Sequence, residues 1–414
     1  MPSTSGSSFA AKIVLACSVF IVAADNFAVA GLLPKLSSSF SSIPATMGQI
    51  VTCYAVSYAL LCPFLAALAR GLSSKRVIAV GLLVFAVGEL GFFFAFDFWS
   101  ALVSRILAGI GAGLVTPAAT GLATKLAPPA SRNQSISLMM TALCAAAAFG
   151  APVLVLASTF MSWRLGILFL GSVSVALSLV LTATLPDDGD TRFADTTGWL
   201  APIFDVRISL TLLSTFLVLV GLYMAYTYSS VIMAGATAGK SDRLALLLAI
   251  WGLAGLAGTF MGRSVDRFGI RLFVNALLAV LFFDLLILRL VGDSFFGAAV
   301  AIALWGACAW AFMIPQQGRL ISVAPQLATL LVALHVTAVY AGTSTAAVFG
   351  GLVIVHWGGN WLLVCSAAFV LAGWVASILQ EAVSAKAATT QTVPTFSRAK
   401  KLSNQGTIEG TTSR

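Results

Sequence analysis

Long uninterrupted apolar runs constrain this chain more than any other feature. Twelve can be read, near residues 13–33, 47–69, 76–96, 98–124, 135–158 and 164–184, then 209–234, 243–262, 271–292, 295–318, 327–355 and 360–380. A helix needs ~20 such residues to cross a hydrocarbon core of ~30 Å. Hydrophobic residues make up 59% of the 414 and charged ones only 9%, against about 45–50% and about 25% in soluble domains. The runs are continuous, whereas barrel strands would alternate. The expected fold is therefore an all-α membrane protein with twelve transmembrane helices. A soluble enzyme, a nucleic-acid binder and a disordered scaffold are excluded.

The formal net charge of +9 reads as topology and attraction to anionic lipid, with no nucleic-acid partner. With the N-terminus inside, the cytoplasmic connections carry eleven basic residues: Arg70, Lys75, Arg76, Lys125, Arg132, Arg192, Arg207, Arg263, Arg267, Arg271 and Arg319. The opposite side carries four, Lys35, Arg164, Lys240 and Arg243. That bias predicts cytoplasmic placement of both termini. The cysteines (17, 53, 62, 144, 308 and 365) sit inside apolar runs without zinc spacing, and read as small core hydrophobes. The first run continues past Asp25 without a small-residue cleavage site, so it reads as a retained helix.

The one charged interior stretch long enough for a linker is Leu185–Arg207, with Asp187, Asp188, Asp190, Asp195 and Asp205. The expected division is an N-terminal tail (1–12), a six-helix bundle (13–184), a cytoplasmic linker (185–208), a second bundle (209–380) and a disordered cytoplasmic tail (381–414). The halves repeat. The loop at Arg70 superposes on that at Asp266 with an offset of 196, Pro117 matches Pro315 at 198, and Glu89 nearly matches Asp284 at 195. A parallel repeat of two pseudo-symmetric six-helix bundles is a transporter architecture, with its site between the halves near the midplane.

At these positions the chain resembles the major facilitator superfamily, and within it the twelve-helix drug:proton antiporters of bacteria. The loop after helix 8, with Gly262, Asp266, Arg267, Gly269 and Arg271, matches a G-x-x-x-D-R-x-G-x-R pattern. Helix 1 ends in Asp25, Asn26, Phe27, Gly31 and Pro34, similar to the family's acidic-x-F-x-x-x-G-L-x-P segment. Arg105 with Gly109, Gly111 and Gly113 resembles R-x-x-x-G-x-G-x-G in helix 4; helix 5 carries Gly150 and Pro152. The likeness spans essentially residues 12–380. It implies the major facilitator fold, gating by Lys75, Arg76, Gly150, Pro152 and the loop after helix 8, and a bacterial inner-membrane location. Three departures stand out. Arg70 replaces an acid in the loop after helix 2, with Ser73 for its glycine, which leaves Asp266 as the cytoplasmic latch. Val153, Leu154 and Val155 follow Pro152 where the antiporter pattern has glycines. Helix 11 has His335 and Tyr340 where many relatives carry asparagine.

An ionisable side chain at mid-bilayer costs roughly 2.5–3.5 kcal/mol on insertion scales, so each needs a reason. At a rise of ~1.5 Å per residue, Asp25 in helix 1 and Arg105 in helix 4 reach the same depth. Desolvation opposes a carboxylate and a guanidinium favours it, so the pair could switch on one proton; it could also be a static pair orienting the two helices. Glu89 lies at a similar depth in helix 3, which the resemblance makes peripheral. It could handle protons, serve a structural role or be the partner of Arg105 itself. Asp284 and Arg289, in helix 9, read as structural, Arg289 snorkelling outward. The resemblance places helix 11 at the cavity, where His335 could meet substrate, share the proton or bond a neighbouring helix. Asn26, Tyr54, Tyr58, Tyr223, Tyr226, Tyr228 and Tyr340 complete a candidate surface for a moderately apolar cargo; each tyrosine could equally be packing.

No nucleophile–base pair or metal set suggests catalysis. The expectation is a monomeric secondary transporter in a lipid bilayer, with no cofactor beyond a proton gradient. It would export a small organic molecule, a drug or metabolite, by alternating access. The alternative is proton-linked uptake or facilitated diffusion.

Overall fold

The computed structural model describes residues 4–68, 72–128, 131–185, 201–261 and 269–391. Among the described residues there is no strand. Six long helices form the first half: α1 (Thr4–Ser39), α2 (Pro44–Leu68), α3 (Ser74–Phe94), α4 (Phe98–Lys125), α5 (Arg132–Phe160) and α6 (Trp163–Thr184). Six form the second: α7 (Val206–Thr227), α8 (Ser241–Met261), α9 (Ile270–Val291), α10 (Phe295–Val323), α11 (Ala328–Trp357) and α12 (Leu362–Gln391). Eleven are long and apolar enough to cross a membrane, and α2, at 25 residues, has the length as well.

Short polar residues set the helix starts. Asp97 caps α4 in a reciprocal box with Ser100, accepting at 2.8 Å from its backbone while Ser100 Oγ accepts from the Asp97 N–H at 3.2 Å. Ser73, Ser162, Asp205 and Ser294 cap α3, α6, α7 and α10. Inside α5, residues Ala146–Gly150 form a π turn in which the Ala151 N–H reaches back to Ala146. Pro152 follows directly and has no N–H to continue the ladder, so the turn absorbs the break.

Two ends differ from the sequence expectation. α1 already begins at Thr4, inside the stretch expected as a tail. α12 runs to Gln391, past the expected bundle end at 380. Its extension is held by Glu381, which accepts from Asn275 Nδ2 at 3.1 and 3.2 Å and pairs with Arg319. Linker residues 186–200 and tail residues 392–414 lie outside the described residues.

The same helix pairings recur in both halves. α1 packs on α5 and α6, α2 on α4, and α3 on α4 and α6; likewise α7 packs on α11 and α12, α8 on α10, and α9 on α10 and α12. The halves then meet through α2 against α11 and α5 against α8, two seams that the same two-fold exchange interconverts. Both run along the end of the bundle opposite the chain termini. Ala45 lies under Gly351, Thr52 Oγ1 reaches the Ser344 carbonyl at 3.5 Å, and Gly252 sits on the backbone of Ala148. At that end an exposed belt of Phe96, Trp99, Phe160, Phe296, Trp357 and Trp361 rings the surface, as amphipathic rings do at a headgroup layer.

Candidate functional site

Close backbone approach builds the central site. A Cβ on Gly88 of α3 would lie 2.5 Å from Ala108 N, and one on Gly111 of α4 would lie 2.4 Å from Phe85 N. A Cβ on Gly109 would lie 2.4 Å from the Tyr54 carbonyl of α2. Side chains at these points would force α2, α3 and α4 apart. With the glycines in place, Arg105 reaches two acids at once.

Its guanidinium grips Asp25 in a fork, Nη1 to Oδ1 at 2.9 Å and Nη2 to Oδ2 at 2.7 Å. Nη1 also donates to Glu89 Oε1 at 3.1 Å. The relative exposures are 0% for Asp25, 0% for Glu89 and 1% for Arg105. The Tyr54 ring lies 4.6 Å from the guanidinium carbon and Phe92 lies 5.4 Å from it, both close enough for cation–π attraction. Tyr54 is turned into the bundle, its hydroxyl donating to the Val22 carbonyl at 3.3 Å. Arg105 Nε and Glu89 Oε2 have no hydrogen-bond partner among the described residues.

Chemically this is one fixed cation shared by two carboxylates. If both acids are ionised the site carries a net negative charge away from water, a costly state. One added proton on the acid pair makes it neutral. The two partners that the sequence offered Arg105 are therefore both present. α3 is peripheral in the bundle, yet Glu89 points inward, beneath Gly171 of α6, whose Cβ would lie 3.2 Å from it.

The other sequence candidates fall into separate settings. Asn26 is nearly buried beside Asp25. Tyr58 and Tyr340 stack across the halves, with ring centroids 3.6 Å apart and planes at 16°. Tyr228 fills the gap left by Gly48, Gly350 and Gly351, and its hydroxyl donates to the Ala347 carbonyl at 2.7 Å. Tyr223 lies edge-on to Tyr226 at 6.0 Å. His335 is 1% exposed, and neither ring nitrogen has a partner among the described residues. Asp284, buried on α9, has no partner for Oδ2 among the described residues, while Arg289 is exposed over the Trp361 ring at 5.6 Å.

Among the gating candidates, Lys75 donates to the Leu185 carbonyl, tying α3 to the end of α6. Arg76 is exposed in the first turn of α3. Gly150, on the π turn, would put a Cβ 2.6 Å from that of Ala24 on α1, and Pro152 is buried next to it. Gly269, at φ 79°, opens α9 in a conformation that favours glycine, and Arg271 is exposed beside it. Arg70, Gly262, Asp266 and Arg267 lie outside the described residues.

Sequence reasoning missed an aromatic cluster spanning the halves. Phe27 of α1 packs against Tyr226 at 5.8 Å, Trp251 at 6.0 Å and Trp310 at 6.2 Å. The Tyr226 hydroxyl donates to the Phe27 carbonyl at 3.2 Å. A tryptophan in a helix that is apolar all round gives no periodic signal; the clues were Phe27, within the matched helix 1 segment, and Tyr226, one of the helix 7 tyrosines.

Known proteins share this architecture. The chain is 24% identical over 342 residues to an "Uncharacterized MFS-type transporter YbcL" of Bacillus subtilis, covering 82% of this chain and 88% of that protein. It is 24% identical over 343 residues to the "Inner membrane transport protein YdhP" of Escherichia coli K12, covering 83% and 88%. It is 23% identical over 369 residues to a "Probable sugar efflux transporter" of Haemophilus influenzae, covering 88% and 92%. Among solved structures, a bacterial homolog of the human lysosomal transporter Spinster, in an inward-facing and unoccupied conformation, superposes with a TM-score of 0.67. That match has 15% identity and covers 92% of this chain and 96% of the other, a likeness of fold. The family model for the Major Facilitator Superfamily matches residues 15–342, and with the paired halves and their two exchanged seams this chain belongs to that superfamily of transporters.

Proposed function

We propose that this protein is a proton-coupled secondary transporter that exports a small organic molecule by alternating access. The observation that carries the reading is the buried sharing of Arg105 between Asp25 and Glu89. With one added proton the three groups are neutral and suit a dry, packed site. When that proton leaves, the net charge favours an arrangement that admits water or cargo. α1 links this change to the seam between halves, because Phe27, two residues beyond Asp25, holds the Tyr226 contact. Protonation would thus bias which end of the bundle opens, which is what coupling requires.

The eleven-to-four basic bias supports a cytoplasmic position for the terminal end. With the opposite end sealed by α2–α11 and α5–α8, cargo enters from the cytoplasmic side. Asn26, Tyr58, Tyr223, His335 and Tyr340 are the groups proposed to meet it, and Tyr228 to seal the far end. The chain acts as a monomer, without a cofactor and without chemistry on its cargo, in a bacterial inner membrane. An exported metabolite or drug is the cargo class; the name of the Haemophilus relative puts sugars on the test panel.

The test is cargo-induced proton movement in proteoliposomes for the wild type, Asp25→Asn and Glu89→Gln. The expected result is a compound that moves protons through the wild type but crosses the variants without them. Wild-type transport indifferent to the proton gradient would leave a facilitator and refute the coupling.

A further inference from the structure

At the terminal end, away from the central site, a pocket of about 250 Å³ opens among the starts of α7 and α9, the end of α10 and the last third of α12. Three guanidiniums line it, from Arg207, Arg271 and Arg319, against a single carboxylate, Glu381. That carboxylate is already engaged: Asn275 donates to both its oxygens and Arg319 pairs with it. Arg319 is further fixed by its 2.7 Å bond to Ser377 Oγ. Arg207 is paired with Asp205 at 2.7 Å. The Arg271 guanidinium has no partner among the described residues and stays exposed at the pocket wall. Ser384 Oγ accepts from Gln380 Nε2 at 3.1 Å, which leaves its hydroxyl hydrogen to donate. The lining thus offers an uncommitted planar fork and a hydroxyl donor around an excess of positive charge.

We propose that this pocket binds a phosphate group, carried by an anionic phospholipid headgroup or by free phosphate. The guanidinium fork matches phosphate oxygens in two parallel bonds, and the net charge of the lining selects an anion. The setting suits a headgroup. Val206, Leu272 and Leu379, each adjacent in sequence to a lining residue, are exposed apolar side chains that acyl chains would cover. A phosphate seated here would join α7, α9, α10 and α12 at the end where the seams described above do not reach.

The test uses the full chain in a neutral maltoside detergent. Native mass spectrometry and thermal melting are read with dioctanoyl-phosphatidylglycerol, dioctanoyl-phosphatidylcholine and inorganic phosphate. Phosphatidylglycerol is expected to bind and raise the melting temperature well beyond phosphatidylcholine. Arg271→Gln should weaken it roughly tenfold, as expected for loss of charge-assisted hydrogen bonds, and Arg243→Gln, at the far end, should not. Protection by inorganic phosphate that also displaces the lipid would identify free phosphate as a sufficient ligand; protection by the lipid alone would identify the headgroup. If Arg271→Gln does not fold, Ser384→Ala carries the test, with a weakening of a few-fold. Equal binding of the two lipids, or binding unchanged in the variant that folds, overturns the proposal.

Discussion

The charge count around Arg105 makes a prediction that ordinary packing does not. Asp25 accepts two bonds from the guanidinium, at 2.9 and 2.7 Å, and Glu89 one at 3.1 Å. Glu89→Gln leaves a balanced Asp25–Arg105 pair and removes the surplus carboxylate, so its net cost should stay within about 1 kcal/mol. Asp25→Asn removes the fork but leaves Glu89 to balance the cation; two charge-assisted bonds at once should cost about 2–3 kcal/mol. The double variant is different in kind, because a guanidinium 1% exposed then has no counter-charge. Stranding it should add about 3–5 kcal/mol beyond the sum of the singles. Adding Arg105→Met to the double removes the stranded charge and should recover most of that excess, since replacing a whole buried ion cluster by apolar side chains is often neutral or better. The assay is denaturant unfolding in micelles for the wild type, both singles, the double and the triple, analysed as a double-mutant cycle. Singles and double that add within ~0.5 kcal/mol, or a triple no more stable than the double, would refute the shared-cation argument.

Three further tests probe the frame around that site. In Gly48→Val the new Cβ would sit 2.0 Å from the Tyr228 hydroxyl, which is bound to Ala347; the α2–α11 seam should part, seen as faster thiol labelling of Thr52→Cys in a background without reactive native cysteines. Gly252→Val would overlap the Ala148 backbone, at 2.3 Å from its Cα, so melting should fall by the equivalent of about 1–3 kcal/mol of overpacking and transport should stop; an unchanged melting curve would contradict the tight α5–α8 contact. In the connections, Ser100 hydrogen bonds hold the Asp97 carboxyl below its usual pKa, and bonds from Arg207 do the same for Asp205. The folded values lie below the unfolded value of ~3.9, so this stabilisation is complete above that pH and is lost as pH falls through the depressed values. Asp97→Asn, which keeps a capping side chain, should flatten the dependence of melting temperature on pH below about 4.

The parts of the molecule readable in the sequence were those set by local composition or by simple arithmetic. Apolar runs long enough for a bilayer gave the helices, and the helical rise brought Asp25 and Arg105 to one depth. The same arithmetic could not decide between Asp25 and Glu89 for Arg105. That choice depends on how closely α3 and α4 approach, which Gly88 and Gly111 settle through contacts with Ala108 and Phe85; the answer was both acids. The end of α12 was misread for a related reason. Residues after Glu381 have the Ala, Thr and Lys content of a tail, but Glu381 itself is anchored by Asn275 and Arg319, more than sixty residues away in sequence. The π turn before Pro152 was legible only as a proline break. Trp251, Trp305 and Trp310 were hidden among apolar neighbours; they gather with Tyr226 within the second half, and docking of the halves brings Phe27 against Tyr226, Trp251 and Trp310.

The repeat also explains why the buried charge cluster belongs to one half alone. At the repeat offsets near 196–198, Asp25 corresponds to Gly221 and Arg105 to Ala303. A Cβ on Gly221 would lie 2.4 Å from the Ser366 carbonyl of α12, so α7 is closely packed where α1 carries its acid. Only the third member has a near counterpart, Asp284 for Glu89, and among the described residues it has no ion pair and its Oδ2 has no hydrogen-bond partner. The buried cation of the second half, Arg319, instead lies at the terminal end, paired with Glu381. The shared pairing of helices therefore supports two different interiors. One half holds a central cluster of two acids around one cation, while the other presents a closely packed face at the matching position. Restoring symmetry should be damaging: Gly221→Asp would drive a carboxylate into the α7–α12 contact with no cation to meet it, and the protein should fail to accumulate in a folded form. If Gly221→Asp is instead tolerated, as judged by melting in detergent, the contrast between the halves is not what fixes the site in the first.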